Sequence, residues 1–157
     1  MGCGCRGRSL ARLLIEDGHA VRGTTRDPAR RAEIEAVGAE CFIGDPDRIG
    51  TLTAALSGAT VLCWLLGSAT GPTEQQASLH GSRLEMLLSR TIDTTVRGFV
   101  YEAAGTVDQT LLRQGADSVV AACERSRIPH ALLSADPRGL DAWLAAARGA
   151  VRGLLAG

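Results

Sequence analysis

A doubly wound α/β fold, with a parallel sheet and helices on both of its faces, is the architecture this sequence predicts. Short apolar runs alternate with longer amphipathic ones along the whole chain, the pattern of repeated βα units. The run Val61-Leu62-Cys63-Trp64-Leu65-Leu66 is apolar on both faces, which suits a strand covered by helices on each side. Glycines at 18, 38 and 58 close successive helical stretches, as residues free to adopt a left-handed cap do.

The elements follow in order. Residues 7–17 read as a helix with Leu10, Leu13 and Leu14 on one face. Residues 19–25 form a short strand. Asp27 and Pro28 then supply an N-cap and a first-turn proline for a second helix reaching residue 37. Residues 40–43 are strand, 44–47 loop and 49–56 helix. After the apolar strand over 61–66, residues 67–73, rich in Gly, Ser, Thr and Pro, make a loop at its C-terminal end. One long helix is predicted over 74–94, a strand over 98–102 and a helix over 110–126. A last strand over 130–133 follows Pro129, and an Ala/Leu helix over 138–155 closes the chain. With no linker, repeat or low-complexity tract, residues 1–157 read as a single domain.

Composition narrows the function. Hydrophobic residues make up 45% of the chain and charged ones 22%, the profile of a globular protein with one core. The net charge of zero argues against a nucleic-acid partner held through phosphates. No apolar run approaches the ~20 residues needed to span a bilayer, and no basic-then-apolar leader opens the chain. Five cysteines, an odd number with no C-x-x-C pair, give no metal-site spacing and fit a reduced, cytoplasmic setting. All seventeen basic residues are arginine, so chemistry that needs a lysine is closed to this chain.

The most specific motif lies at the N-terminus, where Gly2-Cys3-Gly4-Cys5-Arg6-Gly7 is a G-x-G-x-x-G opening a helix. The first glycine permits a tight turn and the second lets backbone approach a pyrophosphate. The third lets the helix pack closely on the sheet. The helix start adds unpaired N–H groups and a partial positive charge. Gly2, Gly4, Cys5, Arg6 and Gly7 are therefore candidate ligands of a dinucleotide. Past the next strand stand Thr24, Thr25 and Arg26, where an NAD-binding chain of this type would carry an acid for the ribose 2′-hydroxyl. Asp27 is better used as a helix cap. Thr25 and Arg26 suit a 2′-phosphate, since guanidinium presents a planar fork to phosphate oxygens. NADP is accordingly favoured over NAD. Asp45, after Gly44, stands where it could accept from the adenine amino group or simply serve the turn. Gly67 and Ser68 follow the apolar strand at the sheet's C-terminal edge, where ligands of open α/β sheets sit.

Residues 2–7, the run Thr25-Arg26-Asp27-Pro28 and the pair Gly44-Asp45 resemble the NAD(P)-binding Rossmann domain of atypical and extended short-chain dehydrogenase/reductases, including epimerase-like and NmrA-like proteins. Residues 98–102 and 128–133 are similar to the fifth and sixth strands of that family. The resemblance implies an NADP(H)-binding protein with oxidoreductase or epimerase activity on a small molecule that the sequence does not identify; homo-oligomers are compatible with it. Two departures bear on catalysis. The family's Tyr-x-x-x-Lys pair is missing: there is no lysine, and Tyr101 lies inside a strand. Ala103-Ala104 replace the Ser or Thr that usually ends the fifth strand. No catalytic residue is assigned, and a non-catalytic module that senses NADP(H) or binds a partner is the alternative. Glu102, His130 and Asp136 fall near the ends of late strands, His19 reads as structural and His80 as a helical residue without an obvious partner.

In the Rossmann order 3-2-1-4-5-6 the glycine loop follows a central first strand. Only Met1 stands before Gly2. The sheet is therefore expected to lack that strand, with residues 19–25 and 61–66 either separated by a gap or drawn together. A start several residues upstream is expected on the same grounds.

Overall fold

The computed structural model describes residues 3–157. Helix α1 (Cys5–Glu16) comes first, then strand β1 (Arg22–Thr25). A 3₁₀ turn (Pro28–Arg30) runs into the short α2 (Arg31–Glu35), followed by β2 (Glu40–Ile43). A second 3₁₀ turn (Ile49–Leu52) leads into α3 (Thr53–Leu56) and β3 (Val61–Trp64). Then come α4 (Thr73–His80), α5 (Ser82–Thr91), β4 (Gly98–Glu102), α6 (Gln109–Ser126), β5 (His130–Leu133) and α7 (Leu140–Ala156).

Every strand pairing is parallel, as the alternating pattern predicts. β1 pairs with β2 in one sheet, and β3, β4 and β5 form a second in that order. Of the two arrangements expected for these strands, separation is the one seen: among the described residues β1 and β3 are not hydrogen-bonded to each other, and a cavity of about 610 Å³ lies between them.

The core explains why β4 sits centrally. Its residues are all buried, and their side chains alternate between two layers. Phe99 and Tyr101 join Trp64, Leu84, Leu87 and Val119 on the face covered by α4, α5 and α6. Val100 packs with Leu10, Leu14, Trp143 and Val151 under α1 and α7. Arg148 of α7 donates to the Asp17 carboxylate at the end of α1, with its Nε 2.7 Å from Oδ2, fastening these two helices together.

Two local details, the Asp27 cap and the closing glycines, were readable in advance. The Asp27 side chain caps the turn at Pro28 by accepting from Ala29 N–H at 2.9 Å. Asp108 caps α6 in the same way, accepting from Thr110 N–H at 2.8 Å. Gly18, Gly38 and Gly58 all adopt positive φ where they end helical stretches. The single helix expected over 74–94 is instead two. Gly81 breaks it, with φ −121 and ψ −108, and this break turns His80 inward to full burial.

Candidate functional site

A groove of about 200 Å³ opens where the N-terminus of α1 meets the C-terminal ends of β1 and β2. Parallel strands deliver their following loops to one edge, so residues distant in sequence converge here. Gly4 lines the groove from α1, Thr25 and Arg26 from the end of β1, and Gly44 and Asp45 from the end of β2. Leu66, Ala69 and Thr70 close it from the loop after β3. Gly4, Thr25, Arg26 and Asp45 were all expected at the site from sequence. Gly2 lies outside the described residues.

The groove presents an uncapped helix start and two guanidinium groups. Gly4 is the N-cap of α1 and supplies no side chain to the helix's first N–H groups, and no acidic residue occupies the first turn. Those N–H groups and the helix dipole are thus free to meet negative charge. A Cβ added to Gly4 would meet nothing within 4 Å, so the space beside its backbone is open. Arg26 is exposed and has no hydrogen bond or ion pair among the described residues. Arg30, at the end of the 3₁₀ turn that follows β1, lines the same groove, and no motif in the sequence marked it. Arg30 is held by Glu33 at 3.3 Å, which also pairs with Arg8 at 2.7 Å, linking α2 to α1.

Thr25 and Asp45 partly serve their own turns. Thr25 Oγ1 accepts from Asp27 N–H at 3.2 Å. Asp45 Oδ1 accepts from Asp47 N–H at 3.0 Å, and Asp45 N–H donates to Thr51 Oγ1 at 2.8 Å. The Asp47 carboxylate in turn accepts from the Gln75 side chain of α4, fixing the loop after β2 against the groove's far wall.

The remaining expected residues divide. Gly7 lies in the first turn of α1, lining the cavity between β1 and β3, and Cys5 is exposed at that helix's start. Arg6 turns its side chain away from the groove. Its Nη2 lies 3.2 Å from Glu102 Oε1, and its guanidinium stacks over the Trp143 ring, 5.3 Å from the centroid. Glu102 is fully buried and also accepts from Trp143 Nε1 at 2.9 Å and from Gly67 N–H at 2.8 Å. One carboxylate therefore joins the start of α1, the loop after β3 and α7. Gly67 is required by packing, since a Cβ there would collide with the Ala104 carbonyl. Ser68 stands next to it with its Oγ buried and without a protein partner among the described residues.

Tyr101 is excluded as an acid–base group by its surroundings. It is fully buried, and its hydroxyl lies 2.7 Å from His80 Nδ1 and 3.2 Å from the Leu112 carbonyl. Burial, reinforced by the neighbouring Glu102, drives its pKa far above the ordinary phenol range. His80, which had no visible partner in the sequence, is that partner. Its Nε2 faces the Leu66 carbonyl at 3.2 Å. A carbonyl only accepts, so Nε2 carries the proton, and in the neutral ring Nδ1 accepts from Tyr101. Burial lowers the His80 pKa against a smaller opposing effect of the Leu66 carbonyl, which favours that neutral form. Among the described residues, no cluster of His, Cys, Asp or Glu could hold a metal ion. No helix there is long and apolar enough to cross a membrane.

Comparison with known proteins matches residues 2–145 to the model of a family described as NAD(P)H-binding. By structure, the chain is similar to the crystal structure of gox2253, with TM-score 0.67 and 20% identity over 83% of this chain and 48% of that one. It is also similar to the Citrobacter sp. triphenylmethane reductase complexed with NADP(H), with TM-score 0.60 and 18% identity over 82% of this chain and 44% of that one. The chain thus spans somewhat less than half the length of either structure. At these identities the likeness is one of fold. Comparison with curated proteins by sequence finds no match.

Proposed function

This chain belongs to the NAD(P)H-binding family, and from that premise we propose that its groove takes NADP(H), with the 2′-phosphate on Arg26 and Arg30. The observation that carries the reading is the pair of guanidiniums at the groove lined by Gly4, with no acid where a ribose 2′-hydroxyl would call for one. The donor set fits the group. The uncapped N–H groups of α1 would hold the pyrophosphate, Thr25 and the two arginines the 2′-phosphate, and Asp45 the adenine amino group. Gly67 and Ser68, in the loop whose other residues close the groove, would be the neighbours of the remaining part of the cofactor. Arg6 contributes backbone at the helix start while its guanidinium stays with Glu102. Bound NADP(H) supplies or accepts hydride, and the activity we propose is that of an oxidoreductase on a small molecule.

The same residues define how such chemistry would differ from the tyrosine–lysine type. Tyr101 is sealed in the core against His80, so protons would not come from it. The second reading, a cytoplasmic NADP(H)-binding module without turnover, is favoured by that burial and by the missing lysine. Consumption of NADPH with a panel of carbonyl and dye acceptors supports the first reading, and binding without consumption supports the second.

Gly4→Val tests the site itself. The added side chain would project into open space beside the helix start, so the variant is expected to melt like the parent. It would nonetheless obstruct backbone approach to the pyrophosphate, and NADPH binding should fall below detection in a calorimetric titration. A folded Gly4→Val that binds NADPH as the parent does would remove the glycine loop from the site.

A further inference from the structure

On the reading that the groove takes NADP(H), we propose that Glu33, which does not line the groove, is a specificity-determining residue. It holds Arg30 while the site is empty and releases it to the 2′-phosphate, remaining itself with Arg8. One carboxylate oxygen makes both contacts. Glu33 Oε2 lies 2.7 Å from Arg8 Nη1 and 3.3 Å from Arg30 Nη2, with Arg30 Nε at 3.4 Å. Arg30 and Arg26 are the arginines that line the groove, and among the described residues Glu33 is the carboxylate that pairs with either. Asp45 and Asp47 line it too, but they are engaged by Asp47 N–H and by the Gln75 side chain.

The two ion pairs differ in firmness, and the difference decides which one yields. The Arg8 side chain is only 19% exposed, against 42% for Arg30 and 48% for Glu33. Water screens the shorter Arg8 contact less. Arg8 Nη1 is buried without an aligned hydrogen-bond acceptor among the described residues, so its hold on Glu33 is one of charge, and losing Glu33 would leave that charge stranded. Arg30 and Glu33 form an ordinary exposed pair, which is weak. A phosphate, with its charge-assisted and paired acceptors, outbids it. The charges also reach the groove. Cys3 lines it, and while burial raises the pKa of its thiol, Arg8 and Arg30 each oppose that rise. The negative charge of Glu33 beside them therefore weakens the positive field that a 2′-phosphate meets, and the 2′-hydroxyl of NADH, being neutral, does not register it.

The experiment titrates the full chain and its variants calorimetrically with NADPH and with NADH. Glu33→Gln keeps the side chain's shape and removes its charge. It is expected to bind NADPH about three- to fivefold more tightly than the parent, the range that one exposed ion pair carries. NADH affinity should change by less than about twofold. Arg8→Met keeps the buried stem but leaves Glu33 to Arg30 alone, and it should weaken NADPH binding by about threefold. Because Glu33 acts through Arg30, Arg30→Ala/Glu33→Gln should bind NADPH no more tightly than Arg30→Ala. A strut that merely supported the fold would give losses in every variant and for both cofactors, never a gain confined to NADPH. If Arg8→Met fails to fold, Glu33→Gln and the double variant decide the matter. A parent that does not prefer NADPH would overturn the cofactor reading together with this proposal. A parent that prefers NADPH, with Glu33→Gln binding it equally or less tightly, would overturn the role of Glu33 alone.

Discussion

Glu102→Ala is expected to lower the melting temperature by roughly 10 °C, the shift that a loss of about 3–5 kcal/mol produces in a domain of this size. The size follows from what the carboxylate holds. It is fully buried and accepts from Arg6, Trp143 and Gly67 at once. Truncation leaves the partly exposed Arg6 guanidinium without its counter-charge and, at greater cost, two buried N–H groups without an acceptor. Removing the stranded charge as well, in Glu102→Ala/Arg6→Met, should recover part of the loss. The double variant separates the cost of unpaired charge from that of the cavity. Thermal unfolding followed by circular dichroism reads both effects. A single variant that melts like the parent would show that Glu102 does not join these elements in solution. Because Glu102 fixes both the start of α1 and the loop after β3, NADPH affinity should weaken in Glu102→Ala even at temperatures where it remains folded.

The second large effect is on cofactor choice. Arg26→Ala and Arg30→Ala each remove a charge-assisted bond to the 2′-phosphate worth about 1.5–3 kcal/mol, or about ten- to hundredfold in affinity for NADPH. Arg26 has no competing partner among the described residues, whereas Arg30 is already shared with Glu33. Arg26→Ala should therefore lose the larger share. NADH affinity should scarcely change in either variant. A parallel fall for NADH and NADPH would place the arginines on the pyrophosphate or the adenine instead. Arg26→Lys is a useful intermediate, since it keeps the charge but loses the planar fork, and it should retain part of the preference.

What the sequence made legible was local chemistry. The glycine loop, the Asp27-Pro28 cap and Arg26 lie within a few residues of the turns that define them, and the structure places Gly4, Thr25, Arg26 and Asp45 around one groove. The alternation of strand and helix patterns likewise sufficed for the parallel topology. What escaped were partnerships across long sequence separations. Glu102 meets Arg6 across 96 residues and Trp143 across 41, and its position in an otherwise apolar strand was the only hint of a buried hub. His80 acquired a partner because Gly81 broke a helix that periodicity alone had carried through. Arg30 escaped for the opposite reason. Its role depends on where a short 3₁₀ turn points it, and a surface charge in a helical pattern ordinarily faces water.

The most direct measurement is a calorimetric titration of the unaltered chain with NADPH and, separately, NADH. Arg26 and Arg30 at the groove predict that both cofactors bind at one site and that NADPH binds at least about tenfold more tightly, the difference expected from one charge-assisted bond. Equal affinities would contradict the 2′-phosphate assignment, and a chain that remains folded but binds neither would contradict the groove as a cofactor site.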